Sequence, residues 1–309
     1  MTGSQTKQPR ILIVGAAGQV GVELQRSFSG FGSVVTADIE SVDLADPDQT
    51  RALVRRVKPD VILNAAAYTA VDRAESQPDL ATAINATAPR VLAEEALRFN
   101  ALLVHYSTDY VFDGQKQQPW VESDQPNPLN VYGTSKLAGE QAIQQVGGRY
   151  LIFRTSWVYG PHGNNFLLTM LRLARERDRL SIVDDQYGSP TTSIELARAT
   201  RTITEGILAE QFGAPTDWAG LYHMTCADST TWFGFAKAIF ASAEQRLQVK
   251  PPELTPLATK YYPTPARRPH NSILSNQKLY DRFGVRLATW QAALDDVVQI
   301  LSRADSHSE

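Results

Sequence analysis

The sequence predicts an α/β fold, a doubly wound parallel sheet with a smaller C-terminal lobe. Three observations carry that expectation. Short apolar runs alternate with stretches of helical periodicity through roughly the first 160 residues, as parallel strands joined by right-handed crossovers require. Three glycines, Gly15, Gly18 and Gly21, follow the first apolar run and open the first helical stretch. Beyond about residue 160 the alternation gives way to helical stretches, loops and a proline-rich run.

The elements follow in order. Residues 10–14 (RILIV) are a short apolar run that stops at Gly15, which suits a buried parallel strand. Val20, Leu24 and Phe28 then fall at helical spacing. A second strand, 33–37, ends in Asp38, and Pro47 opens a helix that carries Leu53, Val54 and Val57. The run 60–63 (DVIL) is a third strand, ending in Asn64 and the Ala65–Ala67 run. One long helical stretch is expected from Pro78 to Phe99, then a fourth strand, 101–106, leading into Ser107, Thr108 and Asp109. A helix containing Tyr132 precedes a fifth strand, 150–154. In the second half, helices are expected over 165–177, 193–209 and 231–247, with the proline-rich run at 251–269.

This pattern divides the chain. Residues 1–9 read as a disordered leader and 303–309 as a flexible tail. Residues 10–160 form a Rossmann-type dinucleotide domain, with further sheet elements from 161–230, and 161–302 form mainly an interleaved substrate-binding lobe. The net charge of −3 offers no electrostatic case for nucleic acid or an anionic membrane. A single cysteine, Cys226, excludes an intrachain disulfide, and Cys/His metal-ligand spacings are absent from the sequence. No apolar run is long enough to span a bilayer as a helix, and the leader lacks the apolar segment of a secretory signal. The expectation is a cytoplasmic protein, monomeric or homodimeric.

The chemistry is concentrated in a few motifs. Gly15 permits a tight turn, Gly18 lets the backbone approach a pyrophosphate, and Gly21 lets helix and strand pack closely. Their GxxGxxG spacing differs from the commoner GxGxxG. Asp38 ends the second strand, where a carboxylate accepts hydrogen bonds from an adenosine ribose and repels a 2′-phosphate, while Arg51 or Arg55 can still rescue NADPH. Asp43 and Leu44 can flank the adenine. Tyr132 and Lys136 share one face of a helix, four residues apart, and a cation beside a phenol lowers the phenol's pKa. Ser107 and Thr108 stand at the carboxyl end of a strand, where open α/β sheets bind ligands. Trp157 and Tyr159 occupy the same edge, either as pocket walls or as core aromatics. Asn164, Asn165 and the cluster Arg267, Arg268, Pro269, His270, Asn271 are polar loops able to meet an anion or simply to be solvated.

With these residues in view, the chain resembles the extended short-chain dehydrogenase/reductase family over about residues 10–302. Its segments NAAAYTAVD, STDYVFDG and TPARRPHNS are more specific than the glycines. The resemblance implies reduction, by NADH or NADPH, of the 4-keto group of dTDP-6-deoxy-L-lyxo-4-hexulose to dTDP-L-rhamnose. It puts the catalytic hydroxyl, phenol and amine at Thr108, Tyr132 and Lys136. It implies cofactor contacts at Gly18, Gln19, Val20, Asp38, Asp43, Leu44, Ala65, Ala66, Ala67 and Tyr106, besides Gly15, Gly21, Tyr132 and Lys136. Thr108, Asp109, Tyr132 and Trp157 would touch the dTDP-sugar. Some members form dimers bridged by Mg2+ through glutamates. Glu23 matches one such position, but Ile194 stands where another acid belongs, so no metal site is expected. The alternatives are a nucleotide-sugar epimerase or dehydratase that recycles NAD, and a non-catalytic reductase-like regulatory subunit.

Overall fold

Six strands, β1 (Arg10–Val14), β2 (Ser33–Ala37), β3 (Val61–Asn64), β4 (Leu102–Thr108), β5 (Tyr150–Thr155) and β6 (Gly220–His223), form one sheet in the computed structural model, which describes residues 8–305. Every pairing is parallel, and the order is β6-β5-β4-β3-β1-β2. The chain steps outward from β1 to β2 and then returns to place β3 on the other side of β1. That reversal is the topological switch point, where an open α/β sheet leaves a crevice.

Alternation along each strand divides the core in two. Ile11, Ile13, Val61 and Leu63 face one cluster, while Leu12, Val14 and Ile62 face the other. The first layer contains the helices Gln19–Phe28 and Ser193–Leu208, through Leu24, Phe28, Leu196 and Ile203. The second contains Pro47–Val57, Ala88–Phe99 and Val131–Val146, through Leu53, Val54, Leu92 and Ile143. The 193–223 segment therefore adds both a covering helix and the edge strand β6 to the N-terminal sheet.

Several boundaries differ from the sequence reading. The stretch from Pro78 to Phe99 is helical, but a π-helical turn, Ala83–Thr87, interrupts it. β4 runs on to Thr108, so Ser107 and Thr108 are still strand residues. The proline-rich run contains a strand, Glu253–Leu257, paired in parallel with Arg179–Val183. Pro256 is tolerated there because the ladder has only two strands and its missing N–H can face outward. The tail begins later than 303, since the helix Trp290–Asp305 continues through it; residues 306–309 lie outside the described residues. Of the expected leader, residues 1–7 also lie outside them, whereas the Pro9 carbonyl accepts a hydrogen bond from Ser33 N at 2.9 Å.

Candidate active site

The glycine turn meets β3 at the switch point. Gly15 leaves β1 at φ +79°, and a Cβ there would lie 2.6 Å from Ala66 N. Only glycine lets this turn rest on the Ala65–Ala67 run. Gly21 seats the first helix against the turn, since a Cβ on it would run into the Gly15 carbonyl. It is thus a packing residue outside the cavity lining. Gly18 caps that helix, so the unpaired N–H groups of its first turn open toward the crevice.

A cavity of ≈ 440 Å³ begins here. Gly15, Gly18, Gln19 and Val20 line one end, Asp38, Asp43 and Leu44 one side, and Ala65, Ala66 and Ala67 the floor. Tyr106, Tyr132 and Lys136 line the far end. The Asp38 carboxylate accepts from the backbone N–H of Ala17 and from that of Ile39, tying the end of β2 to the glycine turn. The shape and these donors fit a dinucleotide: glycines where a Cβ would fill the cradle, a helix N-terminus, and a carboxylate at the end of β2.

The far end holds the titratable groups. Lys136 is 1% exposed; its Nζ donates to the Tyr106 carbonyl at 2.6 Å and lies 3.2 Å from His105 Nε2. Burial lowers its pKa to about 8, opposed by the negative field of Glu140. The Tyr132 phenol is pushed up to about 12 by burial, with a hydrogen bond to Thr108 working the other way and the Asp109 charge adding to the rise. The expected depression of this phenol by Lys136 is therefore corrected: burial dominates and raises the phenol, and the Lys136 amine donates to the Tyr106 carbonyl.

The two neighbouring hydroxyls have different partners. Ser107 Oγ donates to Glu140 Oε1 at 2.5 Å, and Arg154 grips that carboxylate at 2.8 and 2.6 Å. Thr108 Oγ1 donates to Asp109 Oδ1 at 3.0 Å and is the hydroxyl that acts on the Tyr132 phenol. Asp109 is buried, which raises its carboxyl to about 6, with neighbouring Ser272 and Thr108 pulling the other way. Thr108 and Asp109 sit beside the cavity, linked to it through Tyr132. The Tyr106 hydroxyl points away and pairs with Thr200 at 2.7 Å.

Trp157 takes φ +47°, an outlier for a bulky residue, and its ring stacks on Trp232 at 3.6 Å. Trp232 lines a second cavity of ≈ 570 Å³, together with Phe166, Tyr262, Thr264 and Arg268. Arg268 is bound to both oxygens of Asp72, at 2.8 and 3.2 Å. The segments NAAAYTAVD and TPARRPHNS thus meet through an ion pair. Of the other polar candidates, Asn165 caps the helix Phe166–Glu176 and bonds Gln19, and His270 Nδ1 lies 2.9 Å from the Asp185 carbonyl. Glu23 Oε1 accepts from Arg26 at 2.9 Å and lies 2.8 Å from His162 Nε2. Among the described residues there is no group of three or more His, Cys, Asp or Glu poised for a metal ion, and no helix is long and apolar enough to cross a membrane.

Sequence reasoning missed Ile84 of the π-helical turn, along with Thr155 and Val158 of the cavity wall. It also missed Asn64, His105, Glu140 and Arg154 behind Lys136. Glu140 could have been found, since it lies one helical turn beyond Lys136 on the same face.

A parallel sheet with a glycine turn at its switch point, and a Tyr–Lys pair facing the same crevice, defines an enzyme of the short-chain dehydrogenase/reductase type. The chain belongs to the RmlD substrate binding domain family, whose model matches residues 9–303. A dTDP-4-dehydrorhamnose reductase of Burkholderia thailandensis is 47% identical over 288 residues, spanning 92% of this chain and 96% of that one. The enzyme of the same name from Escherichia coli K12 is 45% identical, with 92% and 95% covered. Among solved structures, a dTDP-4-dehydrorhamnose reductase of Bacillus anthracis in complex with NADP superposes with a TM-score of 0.85 at 35% identity, covering 94% of this chain and 98% of that one.

Proposed function

We propose that this protein is a cytoplasmic reductase that converts dTDP-6-deoxy-L-lyxo-4-hexulose to dTDP-L-rhamnose with NADH or NADPH, the last step of dTDP-L-rhamnose synthesis. One observation carries the reading: the cavity that starts at the glycine turn ends at Tyr132 and Lys136. The shared name of the relatives supports the choice of sugar and reaction. Residues 10–160 with β6 hold the cofactor, and most of 161–302 forms the substrate lobe.

The bound nicotinamide supplies the hydride. The residues of the chain supply the rest. Burial keeps the Tyr132 phenol protonated at neutral pH, so it reaches the substrate carbonyl as a proton donor. Thr108 stands beside that hydroxyl, and its own proton, given to Asp109 here, reaches the carbonyl oxygen only by leaving that carboxylate. Lys136 stands one helical turn away, deep in the cavity, placed to hold the nicotinamide ribose. Asp109 and Trp157 border the substrate side. Asp38 holds the adenosine end and favours a free 2′-hydroxyl.

Replacing Tyr132 by phenylalanine tests the assignment. The reading expects kcat to fall ~10²–10⁴-fold while NADH binding, read by fluorescence, is kept. A variant with near wild-type kcat would remove Tyr132 from the reaction.

A further inference from the structure

Gln19 is the first residue of the helix that Gly18 caps, and it lines the cavity at the glycine end. The segment 160–165, which leads into the helix Phe166–Glu176, packs on its side chain. Gly163 sits there at φ +73°, where a Cβ would lie 3.1 Å from Gln19 Cγ. Asn165 closes the segment and is buried. Its Oδ1 accepts from the Leu168 backbone N–H at 3.0 Å. Its Nδ2 donates to Gln19 Oε1 at 2.9 Å and lies 3.0 and 3.1 Å from the Gly160 and His162 carbonyls.

These partners fix the orientation of both amides. A backbone N–H can only donate and a carbonyl oxygen can only accept. The Asn165 atom facing Leu168 is therefore the oxygen, and the one facing Gly160 and His162 is the nitrogen. The Gln19 atom that meets this nitrogen must accept, so it is Oε1. Gln19 Nε2 is left on the other side of the amide. Among the described residues it donates only to the Asn164 carbonyl, at 3.4 Å, so one of its N–H groups remains unpartnered. An amide without such an anchor turns between its two faces, and the reversed one would bring a carbonyl oxygen against an anion.

We propose, resting on the dinucleotide reading of the cavity, that Asn165 is a positioning residue for the cofactor: it locks the Gln19 amide so that an N–H, and not a carbonyl, meets the pyrophosphate. Gln19 then adds a charge-assisted side-chain donor to the backbone N–H groups of the same helical turn. Asn165 itself does not line the cavity and acts through Gln19.

Replacing Asn165 by aspartate tests this through NADH affinity, read by fluorescence titration. A carboxylate still accepts from Leu168 N and keeps the helix cap, but it offers Gln19 no N–H. Gln19 should turn its Nε2 to that carboxylate and its oxygen to the pyrophosphate. The dissociation constant should rise roughly 10- to 100-fold, the worth of one hydrogen bond to a charged group. Gln19→Ala should also weaken binding, and adding Asn165→Asp to it should cost less than about threefold more. A further loss as large as in the wild-type background means that the new charge, or a shifted segment, acts directly, and overturns the proposal. Unchanged NADH affinity in either single variant overturns it as well. ADP carries the diphosphate and adenosine does not, so the loss in Asn165→Asp should appear with ADP as competitor and be absent with adenosine. An equal loss with adenosine means a distorted cavity and refutes the role. If Asn165→Asp does not fold, Asn165→Ser keeps a capping oxygen, adds no charge and is too short to reach Gln19. Its loss, at least about threefold, should vanish in the Gln19→Ala background; no loss, or one that persists there, overturns the proposal. Wild-type protein that binds neither NADH nor ADP would discard the dinucleotide reading itself, and the role of Asn165 with it.

Discussion

Replacing Asp109 by asparagine should stabilise the protein by an amount that depends on pH. Asp109 is 2% exposed, Oδ2 has no hydrogen-bond partner, and burial pushes the carboxyl from 3.8 to about 6. The folded protein therefore binds more protons at this site than the unfolded chain between about pH 4 and 6. Stability falls as pH rises through that window and stays lowered above it. The difference between 3.8 and about 6 corresponds to about 3 kcal/mol at neutral pH and above. About half of that is already present at pH 5. An asparagine carries no charge at any of these pH values, and an unpaired amide N–H costs the same at each. The stability gain of Asp109→Asn over wild type should thus widen by about 1 kcal/mol from about pH 5 to pH 8. Urea unfolding followed by tryptophan fluorescence at both pH values measures it. A difference that is constant or shrinks with pH would mean that burial does not raise the Asp109 carboxyl in the folded protein. Activity should fall in the same variant, because the carboxylate that bonds Thr108 is the destabilising group.

Glu140→Gln leaves Arg154 charged and unpaired at 3% exposure, so it should cost about 3–5 kcal/mol in urea unfolding. A loss under about 1 kcal/mol would show that the pair is not holding the ends of β4 and β5. Gly15→Ala meets Ala66 N and an unfavourable φ, about 1–3 kcal/mol from the backbone conformation alone, and dinucleotide affinity should fall with it. Unchanged NADH titration would place the pyrophosphate elsewhere. Asp38→Ser removes the carboxylate at the ribose end, which should improve NADPH relative to NADH by roughly tenfold, about 1–2 kcal/mol of repulsion. The ratio of the two kcat/KM values measures this directly.

Strands β1 to β5 were legible because each is an apolar run stopped by a polar or glycine turn. For β6, only its source within 161–230 was legible and not its place: Gly220, Leu221, Tyr222 and His223 show no clean alternation, and what makes them a strand is their pairing with β5. The strand at Glu253–Leu257 was hidden by its proline, which is compatible only with the two-stranded ladder that folding supplies. The π-helical turn left no trace, since apolar spacing hardly distinguishes it from the α-helix on either side. The glycine turn was readable from spacing and context, and its residues do line one crevice, apart from Gly21. The electrostatics of Tyr132 were misjudged because spacing shows that two groups are near but not how deeply they are buried. The Asn64–His105 contact depends on strand register, and register is not written in either segment alone.

The reaction itself is open to direct test. Purified protein mixed with dTDP-6-deoxy-L-lyxo-4-hexulose, generated in situ, and with NADH or NADPH should consume the nicotinamide while dTDP-L-rhamnose forms in equal amount. Folded protein that binds the cofactor yet consumes neither form, with the sugar recovered unreduced, would contradict it.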